Sequence, residues 1–87
     1  MDIELFDKLQ KTSRDIYIAK NKDYGSSVTD TYKKYGLVSF LVRMEDKMNR
    51  LRTLSQQEAE VADEKIEDTL MDLANYALLA IIELKRE

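Results

Sequence analysis

The stretch EKIEDTLMDLANYALLAIIEL, Glu64–Leu84, decides the fold. At about 100° per residue, Ile66, Leu70, Leu73, Ala77, Ile81 and Leu84 form one stripe. Such a stripe is the core face of an amphipathic helix. The opposite face carries Glu64, Asp68, Asp72 and Asn75 at spacings of four, four and three. It then turns apolar at Leu79 and Ile82. A helix that is apolar on both sides at one end is buried on both sides there. The carboxylate column is therefore expected to face another helix or a cavity. Stacked acids facing inward repel one another and need a cation, a proton or basic partners.

Composition agrees with an all-α chain. The 87 residues include no Pro and two Gly, which favours long helices over a turn-rich β fold. A chain of this length makes one domain, 1–87, and buries about 60–65% of its unfolded surface. Its core is thin, so self-association would help. With no Cys there is no disulfide, thiolate nucleophile or zinc–sulfur site, and with no His the commonest general base is missing. Any metal must be held by oxygen, so Mg²⁺ or Mn²⁺ leads, with Ca²⁺ open. The net charge of -3 gives no reason to expect direct nucleic-acid binding. The N-terminus does not read as a signal peptide, and no apolar run is long enough to span a membrane. A cytoplasmic protein is the expectation.

Four helices are expected. The first runs from Ile3 to about Lys20, with Leu5, Phe6, Leu9, Ile16 and Tyr17 on its apolar side. It ends in KNKDYGSS, Lys20–Ser27, where Gly25 can take the left-handed conformation that stops a helix. Ser27 with Asp30 resembles the start of a short helix, Val28–Tyr35, which stops at Gly36. A third helix, Leu37–Leu54, has Leu37, Phe40, Leu41, Met44, Met48 and Leu51 as its apolar stripe. Ser55–Ala62 reads as a polar connection, and Asp63 as the cap of the last helix.

Two further segments carry candidate chemistry, and each has a plainer reading. In RMEDKMNRL, Arg43–Leu51, the cations Arg43, Lys47 and Arg50 share one flank. The plainer reading is surface pairing, because Arg43–Asp46 and Asp46–Arg50 have ion-pair spacings worth a few tenths of a kcal/mol each. The functional reading is that the three cations bind phosphate oxygens while Asp46 contributes to a metal site. The KNKDYGSS segment is either a polar connection or a substrate rim. As a rim, Tyr24 stacks on a base, Lys20 and Lys22 meet phosphates, and Asp23 meets a sugar hydroxyl or a metal. Asn75 closes the acidic column and is placed with the substrate-binding residues. Tyr76 beside it reads as packing more readily than as chemistry.

Taken together, KNKDYGSS, YGLVSFLVRMEDKMNRL and DEKIEDTLMDLANYALL resemble the bacterial and phage family called nucleotide modification associated domain, type one. The resemblance covers roughly Lys20–Leu84 and rests on KNxDYG, RxxDKxxRL and EKIEDTLMDLANYA in combination. That family is similar in turn to the MazG-type all-α nucleoside triphosphate pyrophosphohydrolases. These are helical dimers or tetramers that hold Mg²⁺ between an EExxE helix and an ExxD helix. Glu45 and Asp46 fall at the paired acids of the first motif, but Asn49 stands at its third acid. Asp68 falls at the acid that ends the second motif, but Lys65 stands where that motif opens. Glu64 lies one residue earlier and Asp72 one turn later.

The resemblance implies an all-α, four-helix MazG-like bundle that forms a homodimer or homotetramer. It implies Mg²⁺- or Mn²⁺-dependent pyrophosphohydrolysis of a standard or modified nucleoside triphosphate, with water attacking the α-phosphorus and pyrophosphate leaving. Glu45, Asp46, Glu64, Asp68 and Asp72 would hold the metal. Glu64 and Asp68 would act on the metal and the water. Arg43, Lys47 and Arg50 would stabilise the departing charge. Two other classes stay open: a nucleotide-binding sensor or sponge without turnover, which the missing acid at Asn49 favours, and a helical self-assembling scaffold.

Overall fold

The computed structural model describes residues 1–24, 26–57 and 59–86, with the side chains of 23–24 and 59–62 outside the described set. Four helices follow one another: α1 (Ile3–Tyr24), α2 (Ser27–Tyr35), α3 (Val38–Leu54) and α4 (Ala59–Arg86). No strand occurs among the described residues. The class is all-α, as the sequence indicates.

Local chemistry sets the helix ends. The Leu5 amide donates to the Asp2 carboxylate at 3.0 Å, so Asp2 caps α1. α1 continues to Tyr24 instead of stopping near Lys20. Lys and Asn are tolerated in a helix, and Lys22 in the last turn complements the helix dipole. The expected stop at Gly25 lies outside the described residues. Before α2, the pairing expected of Ser27 and Asp30 is made instead by Ser26, whose hydroxyl donates to Asp30 at 3.0 Å. Gly36 ends α2 as expected. Its φ of 70° is open to glycine and strained for other residues, and its amide donates to the Tyr32 carbonyl at 2.7 Å. α4 starts at Ala59, so Asp63 lies inside the helix and is not its cap. The segment AEVADE holds two alanines and three acids, which suit a first turn.

α3 and α4 pack along their length, α2 covers one end of α3, and α1 crosses α4. Phe40 sits by Ala80 and Lys47 by Asp72, so α3 and α4 run antiparallel. The core is small. Tyr32, Phe40 and Ala80 are buried together, with Val28, Met44 and Leu79 packed against them. Phe40 is 1% exposed, and its ring lies 5.9 Å from that of Tyr32 at a tilt of 50°. Aromatic pairs favour such tilted contacts.

The packed faces differ from the expected stripes. On α4, Leu70, Ile81 and Leu84 are exposed, while Thr69, Asn75, Ala80 and Glu83 are buried. Leu37, just before α3, and Leu41 and Met48 on it are exposed, and Lys47 turns inward. On α1, Leu5, Phe6 and Leu9 are exposed. The reason is pairing across the interior. Ser13 meets Asn75, Lys20 and Lys47 meet Asp72, and Thr29 meets Glu83. Among the described residues, every buried side-chain nitrogen and oxygen has a partner. Polar groups buried with partners cost little, so the polar face of α4 can point inward and leave an apolar stripe outside.

Replacing Phe40 by Ala empties the best-packed site in the chain. We expect a loss of about 3–5 kcal/mol, read as a lower urea midpoint in circular dichroism. An unchanged midpoint would place Phe40 outside the core.

Candidate functional site

The inward face of α4 carries three polar groups, each held by other helices. Asp72 is clamped at both oxygens. The Lys20 ammonium of α1 donates to Oδ1 at 2.7 Å, and the Lys47 ammonium of α3 lies 3.1 Å from Oδ2. One turn on, Ser13 donates its hydroxyl to Asn75 Oδ1 at 2.5 Å, and Asn75 donates back to the Ser13 carbonyl at 3.2 Å. Near the end of α4, Glu83 Oε1 accepts from Thr29 of α2 at 2.6 Å and from Arg86 at 3.4 Å.

All four helices line a pocket that opens to solvent. Lys20, Asp72 and Arg43 mark one end, and Thr29, Glu83 and Arg86 the other. Tyr17, Val28, Tyr76, Leu79 and Ile82 supply apolar and aromatic wall between them. Apolar walls with a few convergent polar groups are what small-molecule sites have in common. Leu79 and Ile82 thus face into this pocket and the core instead of building a second outer face; Leu78 and Ile81 are the exposed pair.

Among the expected site residues, the structure gathers Arg43, Lys47, Asp72 and Asn75. Arg43 is half-buried at the pocket wall and forms no ion pair among the described residues. The surface pairs expected of Arg43 and Arg50 with Asp46 do not form there. Glu45 lies 3.8 Å from Arg52 instead, an exposed contact of little worth. Asn49, at the place of the third acid, accepts from Arg52 at 2.7 Å. Lys22, Glu45, Asp46, Arg50, Glu64 and Asp68 are exposed. The acidic column therefore faces inward at Asp72 and Asn75, but not at Glu64 and Asp68. α1 meets α4 at the level of Asp72 and Asn75, and the earlier turns of α4 project past that crossing. The side chains of Asp23 and Tyr24 lie outside the described set.

Among the described residues no three Asp or Glu side chains converge as metal ligands. Both oxygens of Asp72 already face ammonium groups. Within one chain these residues do not fit a preassembled divalent-ion site. The basic partners that an inward carboxylate needs are Lys20 and Lys47.

Several site residues escape a reading by motif: Ser13, Tyr17, Thr29, Glu83 and Arg86. Glu83 leaves one signal, a lone acid within the apolar run LLAIIEL. Such an acid is either exposed or buried with a partner, and here it is 4% exposed.

A family model described as nucleotide modification associated domain 1 matches residues 20–84, and the chain belongs to that family. The matched segment contains Lys20, Arg43, Lys47, Asp72, Asn75 and Glu83. No match emerges among the curated proteins or among the solved structures. No helix among the described residues is long and apolar enough to cross a membrane.

Burial alone would raise the pKa of the Asp72 carboxyl. Hydrogen bonds from Lys20 and Lys47, with their positive charges, outweigh burial and hold it below the ordinary value. A carboxyl whose pKa falls on folding adds stability above its unfolded pKa and loses that contribution as pH drops below about 4. Asp72→Asn should therefore be less stable than the parent chain from about pH 7 to pH 5. The gap between their urea midpoints should close as pH falls toward about 3. A gap independent of pH would show that the Asp72 charge contributes nothing.

Proposed function

We propose that the chain binds a nucleoside phosphate in the pocket between its four helices. The phosphates lie at the end formed by Lys20 and Arg43, where Lys47 also holds Asp72, and the nucleoside lies along the wall of Tyr17, Tyr76, Leu79 and Ile82. The observation that carries this reading is a charge imbalance. Lys20 and Lys47 meet one carboxylate, Asp72, and Arg43 lines the same pocket with no acidic partner among the described residues. Such a cluster attracts an anion, and a guanidinium suits phosphate oxygens in a forked geometry. Membership in a nucleotide modification associated family agrees with this ligand class.

Pyrophosphohydrolysis is retained as a second reading because Glu64 and Asp68 stand exposed on the turns of α4 before Asp72, with no ion pair among the described residues. These carboxylates are available at the surface next to the proposed phosphate end. Calorimetry with a panel of nucleoside triphosphates, run beside a pyrophosphate-release assay with Mg²⁺ and Mn²⁺, separates the two readings. Arg43→Ala should weaken binding by about 1.5–3 kcal/mol, the worth of a charge-assisted hydrogen bond. If turnover occurs, Asp68→Ala should remove it. Binding without turnover leaves the binder, and no binding of any nucleotide sinks the proposal.

The domain is further proposed to act as a homo-oligomer. Leu5, Phe6 and Leu9 of α1, Leu41 and Met48 of α3, and Leu78, Ile81 and Leu84 of α4 are exposed. Apolar side chains in such number on a chain this short mark a protein interface. Between α1 and α4 they flank an apolar groove lined by Tyr17, Leu78, Ile81 and Ile82. Lys11 and Arg14 also line that groove, so Ile81→Lys adds a like charge to a surface that must be desolvated and should yield a monomer in light scattering. A monomeric parent chain at micromolar concentration would overturn this.

A further inference from the structure

The far end of the pocket holds an acceptor that the phosphate end does not use. The Glu83 side chain is buried, and its Oε1 is fixed by Thr29 and Arg86. Its Oε2 has no hydrogen-bond partner among the described residues. Yet no buried side-chain oxygen there lacks a partner. Oε2 therefore keeps accessible surface, and Glu83 lines both the pocket between the four helices and a second cleft with Tyr32, Lys33 and Gly36. Thr29 and Arg86 hold the carboxylate from one side and leave the other oxygen as an oriented acceptor.

Resting on the pocket reading above, we propose that Glu83 reads the base and that the ligand is a guanine nucleotide. A carboxylate accepts hydrogen bonds and donates none. It favours an edge with adjacent donors and repels an edge of carbonyl oxygens. Guanine presents N1–H and the N2 amino group side by side. Uracil flanks its single donor with two carbonyls, and hypoxanthine lacks the N2 amino group. The spacing also suits. Asp72 and Glu83 lie eleven residues apart on α4, about 16 Å along a helix. That is the scale of an extended nucleotide from base edge to outer phosphates.

The test is calorimetry of the full chain with GTP, ITP, dGTP and UTP. GTP should bind at least about 10-fold more tightly than ITP, the loss expected when one hydrogen bond to a charged acceptor is missing. Glu83→Gln puts a donor where the acceptor stands, and affinity for GTP should fall to that for ITP. The comparison of GTP with ITP on the parent chain needs no variant and stands even where Glu83→Gln does not fold. Equal affinity for GTP and ITP overturns base reading by Glu83 and leaves the pocket as a general nucleotide site. Discrimination against dGTP alone assigns Oε2 to a ribose hydroxyl, which also overturns it. No binding of any nucleotide overturns the pocket reading itself.

Discussion

Asp72 is held between two ammonium groups that come from two other helices. Lys20 reaches it from α1 and Lys47 from α3, each on its own oxygen. The contact ties three helices at one level of the bundle. Removing either lysine would leave the carboxylate with half its compensation. Removing the carboxylate would leave two cations side by side, which repel. The clamp is partly solvated, so its worth lies more in fixing which faces meet than in raw stability. With Asp72 and Lys47 opposed, α3 and α4 have one antiparallel register. Phe40 then reaches Ala80 and Tyr32.

That choice of face has a consequence for the outside. α4 cannot point both its polar rank and its apolar stripe at the same neighbours. The chain turns Asp72, Asn75 and Glu83 inward with their partners and leaves Leu70, Ile81 and Leu84 exposed. α3 does the same on a smaller scale, burying Phe40 while exposing Leu41 and Met48. A small domain has little apolar surface to bury, and this one uses part of it elsewhere. The interior is specified by polar pairing around a compact aromatic nucleus, and the exposed stripes are free for a second surface.

Much of the architecture was legible in the sequence. Helical periodicity, the absence of Pro and the stop at Gly36 give four helices with ends near the observed ones. An inward Asp72 and Asn75 follow from their place on a face that turns apolar at Leu79 and Ile82. So does the need for basic partners. The partners themselves were not legible, because Lys20 and Lys47 lie 52 and 25 positions away and pairing depends on how helices cross. The core stripe of α4 was misassigned for a related reason. Periodicity shows that a helix has an apolar face, not which neighbour that face meets. Asp63 has the local chemistry of a cap, but the helix formers before it carry α4 back to Ala59.

The site combines these two kinds of information. Its cationic end follows from the clamp: two lysines hold one inward acid among three helices, and Arg43 lines the same pocket as Lys20 and Asp72. Its acidic end has a separate cause, since Glu83 needs Thr29 and Arg86 to remain buried on α4. Each end solves a folding problem on its own terms. Together they give a cleft between helices a cationic end, a carboxylate paired with Arg86 at the other end and an aromatic wall. A ligand with phosphate at one end and hydrogen-bond donors at the other would meet complementary groups in one orientation. Electrostatic complementarity of this kind fixes register and direction more than it adds affinity.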